Sequence, residues 1–163
     1  MRFTLVESTG YESFSESIEY KPMNNKESFD AFVKEVEKEF VGYKDAPITY
    51  NNATDDFIRE IYKDGELIGY IGISEYDEED GYGYGKAIGL SNFIILDKGK
   101  GLGKEVLKDI VEKYKDKYDT VFCCVDANNN KAIGMYKKLG KVYDDQEPDE
   151  NNEYYVELYS REN

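Results

Sequence analysis

Apolar side chains recur along this chain at two spacings, and each change of spacing marks a change of element. From Asn25 onward, Phe29, Phe32, Val33, Val36 and Phe40 fall three or four residues apart with Glu and Lys between them, which predicts an amphipathic helix of about four turns. Upstream, residues 2–8 alternate enough for a first strand, and the polar stretch through Met23 reads as a loop or a second extended piece. Residues 45–56, with Pro47 and several Asn, read as a connection with room for one short helix. Two β-rich runs, 57–62 and 67–76, flank Asp64-Gly65, the strongest short-range hairpin signal. Residues 77–85 pack charge, Gly and Tyr into a loop, and Ala87 to Leu96 is an apolar run suited to a buried central strand. A helix follows from Gly101 to about Tyr114, its apolar face marked by Leu102, Val106, Leu107, Ile110 and Val111. Thr120 to Val125 reads as a strand, Asn129 to Leu139 as a helix closed by Gly140, and Lys141 to Asp145 with Glu153 to Ser160 as a closing hairpin. Without repeat or linker, residues 1–163 read as a single α/β domain.

Composition narrows the chemistry. Twenty-one basic against 35 acidic side chains give a net charge of −14, so the averaged field repels nucleic acid and anionic lipid and favours cationic partners. Histidine is absent, which removes the usual general base, the usual zinc ligand and every Ser-His or Cys-His nucleophilic arrangement; no metal site is expected. The two cysteines, Cys123 and Cys124, are adjacent and in a strand point to opposite faces, which argues against a disulfide framework. No apolar run approaches the roughly 18 residues a membrane-spanning helix needs, and Glu7, Glu12 and Glu16 do not suit a signal peptide. Together these features suggest a cytoplasmic protein, free of membrane and nucleic acid, acting as a monomer or homodimer.

The segment Ile94 to Val106 (IILDKGKGLGKEV) carries the chemistry. A buried strand runs into Gly99, Gly101 and Gly103 and straight into a helix, so successive backbone N–H groups and the positive helix end can face an anion. A plain connection is the structural alternative. The Walker pattern fails because Gly103-Lys104 is followed by Glu105, which offers no hydroxyl to magnesium, and the Gly-x-Gly-x-x-Gly dinucleotide pattern is not met. The run Lys98-Gly99-Lys100-Gly101-Leu102-Gly103 does resemble Gln/Arg-x-x-Gly-x-Gly/Ala, the pyrophosphate signature of the GNAT N-acyltransferases, with lysine in the Gln/Arg position. Downstream, the run from Asn129 to Gly140 (NNKAIGMYKKLG) is similar to that family's Asn-x-x-Ala-Ile-x-x-Tyr-x-Lys-x-Gly helix. The resemblance covers residues 57–160; the first 56 carry no motif.

The resemblance implies a GNAT fold: a mixed, mostly antiparallel sheet of about six to seven strands flanked by about four helices. It implies acetyl-CoA as cosubstrate. The backbone of Phe93, Ile94, Ile95 and Leu96 would pair with the pantetheine arm, while Lys98, Gly99, Lys100, Gly101, Leu102, Gly103 and Lys104 surround the pyrophosphate. Asn129 and Ala132 would lie beside the arm, Asn129 serving equally as a helix N-cap. Tyr136 would protonate the departing thiolate, its alternative being simple packing. The implied reaction is direct attack of a primary amine on the thioester, and the surplus of acid favours a cationic amine-bearing acceptor: a small molecule, a lysine side chain or a protein N-terminus. Three departures from the family pattern stand out. No acid lies between Ala87 and Leu96, where many members carry Glu; the stretch from Leu96 to Gly99 is about two residues short; and Lys141 replaces a Phe. Glu75 and Asp126 are the substitute candidates for the base, through ordered water. A thiol nucleophile at Cys123 or Cys124 is the weaker idea, because without histidine nothing lowers its pKa. The reading from another class is a non-catalytic acyl-CoA sensor or an acidic protein-binding module.

Overall fold

In the computed structural model, which describes residues 18–23, 25–39, 58–83 and 85–162, alternating and helical stretches assemble around one sheet. Chain order among these residues is β1 (Ile18–Pro22), α1 (Lys26–Glu39), β2 (Ile58–Lys63), β3 (Glu66–Tyr76), a short 3-10 helix (Glu78–Asp80), β4 (Ala87–Ile95), α2 (Leu102–Tyr114), β5 (Thr120–Asp126), α3 (Asn130–Leu139), β6 (Lys141–Val142) and β7 (Glu153–Ser160). The sheet order is β1-β2-β3-β4-β5-β7-β6, antiparallel throughout except for β4 with β5. This is the expected mixed, mostly antiparallel sheet of seven strands. The described residues hold three α-helices against about four expected. The first strand at residues 2–8, Phe40, Phe57 and the connection at 45–56 with its possible helix lie outside the described residues. The described part of the stretch before Met23, Ile18–Pro22, is extended, the second of its two readings, and the closing hairpin's first arm is only two residues long.

Local chemistry explains these elements. Asp64 and Gly65 both take positive φ, 52° and 84°, the turn that matches the twist of a two-residue hairpin. The Asn25 side chain accepts from the Ser28 N–H at 2.8 Å and opens α1, which buries Phe29, Phe32 and Val36. Gly140, the last residue of the second motif, is there for space: a Cβ would lie 2.2 Å from the Glu157 carbonyl oxygen on β7.

Two apolar layers sandwich the sheet. On one face, Ile71, Ile73, Ile88, Leu90, Val121, Cys123 and Val125 pack against Val106, Leu107 and Ile110 of α2 and Ile133 and Tyr136 of α3. On the other, Ile58, Tyr70 and Ile94 pack under Met23 and the α1 residues Phe29, Phe32 and Val36. Burying a side chain of this size contributes about 1.5–3 kcal/mol, so the helices are fixed by what they cover. No helix among the described residues is long and apolar enough to cross a membrane.

Candidate active site

Strands β4 and β5 are paired only at their starts, Ala87 with Thr120, Ile88 with Val121 and Gly89 with Phe122. Beyond Gly89 they part, leaving the β5-facing edge of Leu90 to Ile95 without a strand partner among the described residues. A bulge accompanies the parting. Ser91 stands opposite Gly72 and Ile94 opposite Tyr70, so Asn92 and Phe93 together face the single residue Ile71, and Asn92 adopts a left-handed φ of 48°. One extra residue exchanges the faces of everything after it. Leu90 packs on the α2 face before the bulge, whereas Phe93 and Ile95 pack on that face after it and Ile94 lies under α1.

The strand ends in the glycine turn. Gly99 and Gly101 take φ of 87° and 75° with nothing within 4 Å of where a Cβ would stand. Gly101 is the N-cap of α2, and the helix ladder starts only with Glu105 N–H on the Gly101 carbonyl at 3.2 Å. The N–H groups of Leu102, Gly103 and Lys104 therefore have no partner within the helix, as in any first turn. An open concavity of backbone donors at a helix start suits a diphosphate. The lysines beside it are paired. Lys98 Nζ donates to the Ile95 carbonyl and reaches Glu39 at the end of α1, both at 3.0 Å. Lys100 sits 2.6 Å from Asp97, whose hydrogen bond raises the lysine's pKa. A groove of about 320 Å³ lies on the hairpin side of the turn, lined by Lys63, Asp64, Leu67, Leu96 and Lys100 among others, and is distinct from the split between β4 and β5.

Across the split, α3 carries two expected residues about two turns apart, Asn129 and Tyr136. Asn129 caps the helix, accepting from the Ala132 N–H at 3.1 Å, so its expected N-cap role is present. Tyr136 is 8% exposed and its hydroxyl is directed to the Cys123 sulfur. Burial, then the neighbouring thiol, hold the phenol well above its usual pKa, so it stays a neutral donor. The thiols themselves are pushed up, Cys123 to about 12 and Cys124 to about 11, chiefly by burial. Neither has the thiolate character of a nucleophile.

The two candidate bases fare differently. Glu75 lies opposite Ile88, at the closed end of the split, and accepts a hydrogen bond from the Tyr118 hydroxyl; the sheet does not bring it to Tyr136. Asp126 ends β5 at the open end, but its Oδ1 accepts from the Asn128 N–H at 2.8 Å and its carbonyl from the Asn129 N–H at 2.9 Å. Its visible work is to form the turn into α3. Two residues escaped the sequence reading. Ser91 is exposed on the α1 side of β4, its Oγ over Gly72. Glu153 opens β7 directly opposite Asp126; an acid at the start of an alternating strand was its only signal.

Solved structures share the overall fold of this chain. Arabidopsis thaliana Naa50 in complex with the bisubstrate analogue CoA-Ac-MVNAL aligns with a TM-score of 0.57 at 20% identity, covering 86% of this chain and 97% of that one. A GNAT-family acetyltransferase from Streptococcus agalactiae aligns at 0.66 with 16% identity over 88% and 95%. The acetyltransferase (GNAT) family model matches residues 11–141, and the chain belongs to that family. By sequence it is 31% identical over 87 residues to the spermine/spermidine N(1)-acetyltransferase of Bacillus subtilis, covering 49% of this chain and 55% of that protein. The chain thus spans about half the length of the curated relative it matches.

Proposed function

We propose that this protein moves the acetyl group of acetyl-CoA directly onto a primary amine of a cationic acceptor. The observation that carries the reading is the opening of β4 from β5 just past Gly89 and Phe122, with the left-handed glycines 99 and 101 at its end and Tyr136 on its far wall. Acetyl-CoA supplies the thioester. The β5-facing edge of Phe93, Ile94 and Ile95 would hold the pantetheine arm by strand-like hydrogen bonds, with Leu96, whose N–H donates to the Ile68 carbonyl at 2.9 Å, at its end and Asn129 and Ala132 opposite. Gly99, Gly101 and the first-turn N–H groups of Leu102, Gly103 and Lys104 would face the diphosphate, and Lys98 and Lys100 would exchange acidic partners for phosphate. A backbone N–H freed by the bulge would polarise the thioester carbonyl.

Tyr136 would donate to the sulfur as the C–S bond breaks. Free thiols titrate near about 8.5, while this phenol stands far above its ordinary value, so its own titration sets no limb of the pH profile. Support for a cationic acceptor comes from the net charge of −14 and from relatives named for spermine and spermidine. With purified protein, acetyl-CoA and an amine panel, thiol release should be seen, and Tyr136→Phe should lower kcat roughly 100-fold with acetyl-CoA affinity unchanged, the scale expected for loss of one proton donor. Equal rates would remove Tyr136 from the chemistry. The absence of an acid on β4 favours a second reading, a non-catalytic sensor or acidic binding module. Tight acetyl-CoA binding without turnover on any amine would select the sensor.

A further inference from the structure

We propose that Glu153 is the group that takes the proton from the acceptor amine, acting from the face of the sheet opposite Tyr136. This rests on the acetyl transfer proposed above. An alkylammonium, with a pKa near about 10.4, must lose a proton before its nitrogen can attack. β4 offers no carboxylate between Ala87 and Ile95, Glu75 is at the closed end of the split, and Asp126 is turned into the α3 connection.

Pairing settles where Glu153 stands. Residues directly opposite on neighbouring strands project to the same face. Asp126 opposite Glu153 and Cys124 opposite Tyr155 therefore put these four on one face, while Cys123 and Val125 pack toward Tyr136 on the other. In direct transfer the amine approaches the carbonyl from one side while the thiolate leaves on another. A base and an acid on opposite faces of a parted sheet meet that requirement. The register with Asp126 sets Glu153 beside the end of β5.

The surroundings fit a proton acceptor. Glu153 is half-buried, and its backbone N–H donates to Asp149 Oδ1 at 2.9 Å. Burial first, then the Asp149 and Asp126 charges, raise its pKa above that of an ordinary carboxylate, moving it toward the range in which a base works near neutral pH. The titratable groups around it are Asp149 from the β6–β7 connection and Asp126, Cys124 and Cys123 from β5. A second observation on the same face points to a ligand. Two residues along, the Tyr155 hydroxyl is buried and, among the described residues, is the one buried side-chain oxygen with no hydrogen-bond partner. Its ring stacks on Phe122 at 5.4 Å, and Phe122 stacks on Tyr82 at 5.3 Å. Phe122 is itself buried between the two rings, so the exposed Tyr82 is the ring of this row open to an ammonium group.

The proton balance closes. The ammonium gives one proton to Glu153, directly or through water, and Glu153 passes it to solvent. The neutral nitrogen then forms the C–N bond as the C–S bond breaks, and its second proton replaces the one given to the sulfur. The products are amide, free thiol and one proton.

The test is kcat against pH for wild type, Glu153→Gln, Glu153→Asp and Asp149→Asn, with acetyl-CoA and spermidine as the probe acceptor and calorimetry for acetyl-CoA affinity. Wild type should lose activity as pH falls through the Glu153 pKa, above the ordinary value of about 4.3. Glu153→Gln should lower kcat by about 100-fold or more and abolish that acid limb with acetyl-CoA affinity unchanged, and Glu153→Asp should recover part of the rate. Asp149→Asn keeps an oxygen for the Glu153 N–H and removes a charge that raises the carboxyl, so its acid limb should move to lower pH, a readout that stands even if Glu153→Gln does not fold. An active wild type whose Glu153→Gln rate stays within about threefold, or whose acid limb ignores Asp149→Asn, overturns this inference alone. A wild type that acetylates no amine overturns the proposed reaction as well.

Discussion

Asn129 does two jobs that one substitution cannot separate and two can. Its Oδ1 caps α3 through the Ala132 N–H, and its amide is the expected neighbour of the pantetheine arm. Asn129→Ala should cost about 1 kcal/mol of stability through the lost cap and weaken acetyl-CoA binding. Asn129→Ser keeps a capping oxygen without the amide, so thermal melting should recover while calorimetric affinity stays reduced. Full recovery of both would leave Asn129 as a cap only. At this scale the sequence was legible where residue type and spacing act together. Tyr136 sits three residues after Ile133 on the buried face of α3, and the helix period carries it inward. Glu153 was not legible, because its neighbours Asp126 and Asp149 are 27 and four positions away and only the β5–β7 pairing brings Asp126 opposite it.

Periodicity exposed the elements well. The Asp64-Gly65 hairpin, α1, α2 and α3 appear within a residue or so of where their apolar spacing and caps set them. The bulge at Asn92 left no such trace. Ala87 to Leu96 carries apolar residues on both faces, so inserting one residue changes no clear alternation. Yet that bulge swaps the faces of Phe93, Ile94 and Ile95 and directs the edge proposed to receive the pantetheine arm. The pairing of Lys98 with Glu39 was likewise invisible, since it joins a turn to a helix 59 residues earlier. As an exposed pair it contributes at most about 1 kcal/mol, little enough to yield to a phosphate.

Across the whole molecule, the parallel pairing of β4 with β5 and its early end create the cleft, and pairing order is the part of a fold that local spacing does not encode. Net charge acts at the same scale. With −14 on 163 residues, a polycation is drawn in over a screening length that shrinks from about 10 Å at 0.1 M salt to about 3 Å at 1 M. The KM for spermidine should therefore rise with salt more steeply than the KM for a monoamine, with kcat nearly constant for both. Parallel responses would show that the charge serves solubility and not acceptor capture.

The central claim is that the open donors between β4 and α2 hold a diphosphate, and Gly101 tests it most directly. Its φ of 75° and the empty space beside it mean that a valine would put atoms where phosphate oxygens should stand, with strain of roughly 1–2 kcal/mol from the left-handed backbone. Calorimetric titration of acetyl-CoA should give saturable one-to-one binding to the wild type and at least about tenfold weaker binding to Gly101→Val, a loss of about 1.4 kcal/mol, in a protein that still melts cooperatively. No saturable heat with the wild type, or equal affinity in the two proteins, would contradict the account.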